Sequence, residues 1–477
     1  GVFDLLHIGH IKYFQEAKSL GDILIVSITS DQFVNKGNGR PFFNQNLRID
    51  AIAALKCVDY ITINNEENAS KLIKIIKPKF YVKGPDYKNI KDKDDNNLKL
   101  EKYAVKSISG KIRFTSSKTF SSSNLINKSL NFYNTQQMKF ISSIKKKSSF
   151  EKIKDSFDEI SNKKIMIIGE TILDRYIFCD VIGKSGKEPM LVNHHLETNT
   201  YLGGILSISN NISNFCNKIQ AVTYLGDEKD NNLRLIKKKI GKNIKLNFVK
   251  KNGSPTITKT RIVDKYTNNK LSGLYKLNNN SISKIEENKI LENINNIIKE
   301  IDIVIVVDYN HGMLTDKIIR LLISKSKYLA VNSQLNAFNI NYYDISKYKN
   351  IDYLCIQEGE IRTFFKDKES SVKSLVKKLY TLQKIKKITV TMGKNGVISY
   401  DGKKIYFCPA FANKVVDRIG AGDTILGITT LLNSVNLDQE SVLFTGSIAA
   451  METVQTLGTG IILNKKNIVR SIAYSLK

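Results

Sequence analysis

Two short glycine-containing signatures, His7-Ile8-Gly9-His10 near the start and Gly420-Ala421-Gly422-Asp423 near the end, constrain this chain more than any other feature. Each stands where a strand should give way to a helix. A turn of this kind aims several backbone N–H groups and the positive end of a helix at one point, where concentrated phosphate charge can be held. Two such turns far apart in one chain imply two α/β active sites and an enzyme with two nucleotide-dependent steps.

The length, 477 residues, agrees with more than one domain, since single cores rarely grow beyond about 250–300 residues. The first part alternates: a helix at about 9–20, an apolar strand at 23–28, a helix at 47–55, a strand at 60–63, a helix at 69–76 and the apolar triplet Phe80-Tyr81-Val82. This is the βαβ rhythm of a parallel, Rossmann-like sheet. Near Asn131 the pattern gives way to Asn, Gln, Ser and Lys, which predicts a linker over 131–149 between a first domain at 1–130 and a second at 150–477. Phe150, Ile153, Phe157 and Ile160 have helical spacing, so the second domain opens on an amphipathic helix. It continues as α/β from the strand 164–169, with further strands at 303–307, 388–391 and 397–400. The halves show no repeat.

The 74 Lys and Arg against 45 Asp and Glu give a formal charge of +29, but lysines run through the whole chain together with Asn and Ile, so a general compositional bias explains them better than a nucleic-acid patch. No apolar run approaches the roughly 20 residues of a membrane span; the strongest, 301–307, is short and interrupted by Asp302. No membrane partner is expected, and a cytoplasmic enzyme is. Five scattered cysteines without a CxxC pair suggest neither disulfides nor zinc. The chain opens on Gly1-Val2-Phe3-Asp4 without an initiator Met, inside what reads as the first strand-to-helix turn, so a fragment lacking its first strand is expected.

At the first signature, His7 and His10 are spaced so that both imidazoles face one pocket above a helix start, where they can donate to the phosphates of a triphosphate as pyrophosphate leaves. Gly9 allows close approach of the nucleotide. Arg40, Arg48, the run Lys83-Gly84-Pro85-Asp86-Tyr87 and Ser121-Ser122-Ser123-Asn124 are the accompanying polar groups. Together these pieces resemble the cytidylyltransferase-like nucleotidyltransferases over about 1–127, and within them the nucleotidyltransferase domain of the bifunctional heptose kinase/adenylyltransferases of ADP-heptose synthesis. The resemblance implies that Phe3, Asp4, Gly9, Lys12, Arg48, Lys83, Ser121, Ser122 and Ser123 bind nucleotide, with Asp86 beside the substrate. Pro85 and Asn46 depart from the family pattern. Lys12 is instead like the glycerol-3-phosphate cytidylyltransferases, which leaves CTP open beside ATP as the donor. The string His-Ile-Gly-His also occurs in class I aminoacyl-tRNA synthetases, but no KMSKS-like loop follows.

At the second signature, the small residues Gly420, Ala421 and Gly422 form an anion hole at the start of the apolar-rich helix that follows, and Asp423 at its edge is the candidate base for an attacking hydroxyl. With Gly169–Tyr176, Gly203-Gly204, Pro255–Arg261, Asp308–Gly312 and Thr391–Gly396, this region resembles the ribokinase-like sugar kinases over about 150–477, most of all the kinase half of the same heptose enzymes. The resemblance implies that Asp174, Gly203 and Gly204 face the sugar, that Lys259 and Arg261 approach its phosphate, and that Gly393 and Gly396 border ATP. It also implies Mg²⁺, with Glu360 as the candidate ligand, and a homodimer. Ser207, Asn332-Ser333-Gln334 and Gln357 stand where the family carries Asn, Asp-Pro-Lys and Asn. The expected enzyme phosphorylates a small-molecule sugar or sugar phosphate and joins a sugar 1-phosphate to a nucleotidyl group, ADP-heptose-like, with the domains in the reverse of the usual order. The alternatives are a cytidylyltransferase for a polyol phosphate and a kinase domain reduced to a binding module.

Overall fold

The structure is a computed structural model and describes residues 1–34, 40–87, 96–116, 133–147, 150–227, 232–340, 342–458 and 462–476, the Asp86 side chain excepted. The chain divides into two compact units, Gly1–Asn134 with Ala473–Lys477, and Thr135–Ile472.

In the first unit, strands β1 (Ile25–Thr29), β2 (Tyr60–Asn64), β3 (Phe80–Lys83) and β4 (Lys111–Phe114) alternate with helices Ile8–Lys18, Gln45–Ala53, Ser70–Ile76 and Asn96–Ser107. The predicted rhythm is present within a few residues at each end. The strands pair in parallel as two couples, β1 with β2 and β3 with β4. Phe14, Val26, Ile28 and Ile52 form one apolar core, and Ile73, Ala104 and Val105 a second. The Tyr13 hydroxyl donates to the Val82 carbonyl at 2.7 Å, so the first helix lies against the end of β3.

The stretch read as a linker holds a helix, Thr135–Lys147. Its polar composition misleads because three sparse positions, Gln137, Ile141 and Ile144, fall on one buried stripe, and the Gln137 amide donates to the Ala410 carbonyl. The amphipathic helix that follows is Phe150–Ser161, with Ile153, Phe157 and Ile160 buried as the spacing predicts.

The second unit is built on a nine-stranded sheet in the order β17-β16-β15-β14-β13-β12-β5-β8-β9. Its members are β5 (Lys164–Gly169), β8 (Lys218–Gly226), β9 (Ile244–Lys251), β12 (Ile303–Asp308), β13 (Leu329–Ser333), β14 (Tyr353–Gln357), β15 (Lys387–Thr391), β16 (Val397–Tyr400) and β17 (Ile405–Cys408). All pairings from β9 to β15 are parallel, and the last two are antiparallel. The six residues of β12 are all buried, as continuous apolar runs such as Ile303–Val307 require of a strand covered on both faces. Chain order runs outward both ways from β5. The crevice at the carboxyl ends of β5 and β12 is therefore a topological switch point, where open α/β sheets bind ligands. A second, four-stranded sheet in the order β11-β10-β6-β7 joins β6 (Thr171–Lys184), β7 (Leu191–Gly204), β10 (Ile257–Asp264) and β11 (Lys270–Lys276).

Candidate active sites

In the first unit, His7 caps the helix Ile8–Lys18. Its Nδ1 accepts from the Gly9 N–H at 3.1 Å, which makes Nε2 the ring's N–H donor when the imidazole is neutral. The His7 and His10 rings stack with centroids 3.9 Å apart, so the three-residue spacing does bring both imidazoles to one place at the helix start. Phe3 packs edge-on against His10 and also against Phe14, and Lys12 is exposed one turn along the same helix.

Three other expected nucleotide ligands are held within the protein. Arg48 is 1 % exposed and donates to the carbonyls of Val2, Thr29 and Phe43 and to the Asp31 carboxylate. Four acceptors on three segments make it a staple of the fold rather than a group presented to a triphosphate. Asp4, also buried, accepts from the Phe43 N–H and from Arg40. Lys83, at the carboxyl end of β3, pairs with Glu101 at 2.6 Å and lies over the Tyr87 ring. Ser121, Ser122, Ser123 and the Asp86 side chain lie outside the described residues.

In the second unit, the site grows from the switch point. Glu170 follows β5 and is fully buried; its carboxylate accepts the N–H groups of Tyr309, His311 and Met313, which fixes the segment after β12. Burial, then the nearby Asp308 charge, pushes the Glu170 carboxyl up to about 7. The segment so held presents Tyr309, whose hydroxyl reaches one oxygen of Asp423 at 3.3 Å. Gln334, just after β13, donates its amide to the other oxygen at 3.0 Å. Asp423 is the third residue of the helix Ala421–Ser434, behind Gly420, whose φ of 85° is the left-handed geometry glycine allows without strain. It is recessed yet retains some solvent access. Burial, then the Asp174 charge, raises its carboxyl to about 6, against the opposing pull of Tyr309, Gln334 and Lys259. A carboxylate with that proton affinity, at a helix start, is suited to take a proton from a hydroxyl.

Strand register assembles the facing side. Lys259 on β10 pairs with Asp174 on β6, and Arg261, two residues on, shares that face. Arg261 donates to Asp174 at 2.6 Å. The Lys259 ammonium lies over the rings of Tyr275 and Tyr309; burial lowers its pKa, and Asp174 opposes that. A Cβ on Gly203 would come within 2.3 Å of the Asp174 carboxylate, and one on Gly204 within 2.3 Å of the Glu170 carbonyl. The glycine pair thus lets β7 close on the acidic residue. Gly393 and Gly396 form the turn after β15, at the same end of the sheet; a Cβ on Gly396 would collide with the Cys408 carbonyl.

Glu360 does not stand in a cation cluster. Its two oxygens accept the N–H groups of Gln357 and Leu335, so it caps its own helix. Among the described residues no three His, Cys, Asp or Glu side chains group as metal ligands, and no helix is long and apolar enough to cross a membrane. Tyr309 and Glu170 carry no role legible in the sequence, though both lie within the motifs Asp308–Gly312 and Gly169–Tyr176, and Gln334 stands out there only as a departure from the family pattern. Nothing in the sequence marked Lys270.

Residues 162–466 match the pfkB family carbohydrate kinases, and residues 1–148 match the Cytidylyltransferase-like family. Curated relatives include "Bifunctional protein HldE" of Aliarcobacter butzleri, 45 % identical over 113 residues, 23 % of this chain and 24 % of that one. The protein of the same name from Nitratiruptor is 51 % identical over 90 residues, 18 % of this chain and 20 % of its own length. The matches therefore span about a quarter or less of the relatives' length. Among solved structures, phosphofructokinase-2 of Escherichia coli with substrates and products aligns at a TM-score of 0.54 and 15 % identity, over 66 % of this chain and all of that one. Ribokinase of Thermotoga maritima aligns at 0.50 and 20 %, over 65 % and 99 %. At such identities the likeness is one of fold. The extent of the first match decides the assignment: the chain belongs to the pfkB family of carbohydrate kinases and carries a cytidylyltransferase-like domain ahead of the kinase domain.

Proposed function

We propose that the chain is a bifunctional enzyme of nucleotide-activated sugar synthesis. Its second unit transfers the γ-phosphoryl group of ATP to a hydroxyl of a sugar or sugar phosphate, and its first transfers a nucleotidyl group to a sugar 1-phosphate with release of pyrophosphate. An ADP-heptose-like product is the reading that the HldE relatives favour. The observation that carries the kinase half is Asp423, held through both oxygens by Tyr309 and Gln334 at a helix start. In this reading Asp423 takes the hydroxyl proton, and the backbone N–H groups of 420–422 receive the γ-phosphate. Asp174 orients the sugar, and Lys259 and Arg261 meet its phosphate. The stacked pair His7 and His10 stabilises charge on the departing pyrophosphate in the first unit. A Mg²⁺ ion brought by the nucleotide phosphates would supply charge neutralisation there. Glu360, occupied as a cap, is not its anchor.

The test reads pyrophosphate and ADP separately from the intact chain over a panel of sugars and of ATP against CTP. Asp423→Asn removes ADP release and spares pyrophosphate release, and His10→Ala does the reverse. ADP release that survives Asp423→Asn refutes the kinase assignment. A preference for CTP with glycerol phosphate favours the polyol reading, for which the exposed Lys12 beside the histidines speaks.

A further inference from the structure

The proposed kinase machinery leaves unexplained a buried carboxylate six residues before Asp423. Asp417 is 4 % exposed and, among the described residues, accepts four hydrogen bonds. Its Oδ1 takes the Lys270 ammonium at 2.6 Å and the Ile419 N–H at 3.2 Å; its Oδ2 takes the Tyr176 hydroxyl at 3.1 Å and the Gly458 N–H at 3.0 Å. These donors come from four places: β11 and β6 of the smaller sheet, the loop that runs into the helix of Asp423, and the segment after the helix Gln439–Thr453. Burial alone would push the Asp417 carboxyl up. The Lys270 ammonium and the two N–H groups outweigh it and hold the carboxyl below its usual range.

The same cluster reaches the sugar-facing side. The Arg261 guanidinium, which pairs with Asp174, lies over the Tyr176 ring at 5.4 Å, and Tyr176 packs with Phe178 and Val263 against Ile419 and Leu457. A continuous chain of contacts therefore runs from Asp174 through Arg261, Tyr176 and Asp417 to Ile419, four residues before the base. Of Asp417's four donors, only Lys270 carries a charge. Without it the buried carboxylate has no cation bonded to it among the described residues, a costly state that the loop would relieve by moving toward water.

Resting on the kinase reading above, we propose that Lys270 is a positioning residue for phosphoryl transfer: its ammonium, reaching across from the smaller sheet, neutralises Asp417 and locks the 417–420 loop, and so the Asp423 helix start, against the sugar-binding sheet. The chemistry is untouched, but the base is in register with the sugar only while this cation is in place. Misplacement of a reacting group by about 1 Å costs on the order of a hundredfold in rate, so an effect on turnover rather than on nucleotide affinity is the signature.

The experiment uses the full chain with ADP release as the readout. Lys270→Met is expected to lower kcat about tenfold or more while leaving the KM for ATP within about twofold and pyrophosphate release unchanged. In Lys270→Ala, which leaves the room that Met would fill, added ethylammonium is expected to restore turnover by refilling the missing charge, and Lys270→Arg is expected to keep most of it. Native kcat in Lys270→Met, or a lowered kcat in Lys270→Ala that ethylammonium leaves untouched, overturns the proposal. Should Lys270→Met fail to fold, Lys270→Met/Asp417→Asn removes both charges together. With no uncompensated carboxylate left, it is expected to fold with turnover near native, and a kcat still lowered about tenfold in that double variant overturns the neutralising role. Asp423→Asn separates the two readings: if it retains ADP release the kinase assignment falls, whereas a dead Asp423→Asn beside a native-like Lys270→Met sinks only the role of Lys270.

Discussion

Proton affinity at Asp423 gives the kinase assignment a quantitative test. A base works only when unprotonated, so with its carboxyl near 6 rather than near the ordinary 3.8, kcat/KM for ADP release should fall on the acid side with a midpoint near pH 6. About nine-tenths of the enzyme would be competent at pH 7 and about one-tenth at pH 5. The neighbours fix the sign of each perturbation. Gln334 and Tyr309 donate to the charged form and hold the value down, so Gln334→Leu should move the midpoint upward. Asp174 adds negative charge and holds it up, so Asp174→Asn should move it downward, the more so because Arg261 loses its partner. A hydrogen bond to a charged group is worth about 1.5–3 kcal/mol when buried, and Asp423 is partly solvated, so about one pH unit for Gln334→Leu is the working figure. At pH 6 that variant would keep about a tenth of the competent form instead of about half. Initial rates at saturating ATP and limiting sugar, from pH 5 to 8, measure the midpoint. A midpoint unmoved in both variants, or a rate flat down to pH 5, would refute Asp423 as the base.

Other perturbations separate the two units. Gly203→Ala puts a Cβ 2.3 Å from the Asp174 carboxylate, so the KM for sugar should rise steeply while pyrophosphate release stays native, as parallel assays of the two products would show. Arg48→Ala strips the hydrogen-bond donor from three carbonyls and one carboxylate, and should destabilise the first unit by about 3 kcal/mol or roughly 10 °C in Tm, read by calorimetry. His7→Ala removes the cap on Gly9 at a cost of about 1 kcal/mol. It should depress pyrophosphate release far more than that stability loss explains, while ADP release is spared.

What could be read in the sequence follows from where the information lies. Periodicity is local, so the helices and strands within 9–82, the strands at 164–169, 303–307, 388–391 and 397–400, and the amphipathic helix at 150–161 were legible to within a few residues, whereas the strands of the smaller sheet and the helix Asn96–Ser107 were not. The helix Thr135–Lys147 was not, because its buried stripe consists of few apolar positions among lysines and serines, and only packing reveals which face counts. Motif glycines were legible because glycine at a left-handed or crowded position has few substitutes. The fates of Arg48, Asp4 and Glu360 were hidden for the opposite reason. A charged side chain beside a motif reads alike whether it serves ligand or fold, and here long-range partners such as Val2, Thr29 and Leu335 claim it. Gln334 and Lys270 meet Asp423 and Asp417 across 89 and 147 residues, distances at which no local pattern speaks.

Charge balance around the proposed kinase centre has a further consequence. Lys259, Arg261 and Lys270 face Asp174, Asp417 and Asp423, with the Glu170 carboxyl behind them, so these groups hold no surplus positive charge before any nucleotide arrives. The strand end after β13 offers a neutral amide, Gln334, where the family pattern has lysine. An incoming triphosphate would therefore find dipoles at the helix start but little surplus positive charge, and the cation that neutralises it must accompany it. ADP release should accordingly vanish on chelation of divalent ions and return with added Mg²⁺. Gln334→Lys, by supplying the missing charge next to Asp423, should reach half-maximal rate at lower Mg²⁺ than the native chain. Its ammonium also favours the ionised carboxylate, so the acid midpoint should fall below 6 in the same variant. A Gln334→Lys enzyme with unchanged Mg²⁺ demand and unchanged midpoint would mean that Gln334 does not stand beside the base during turnover.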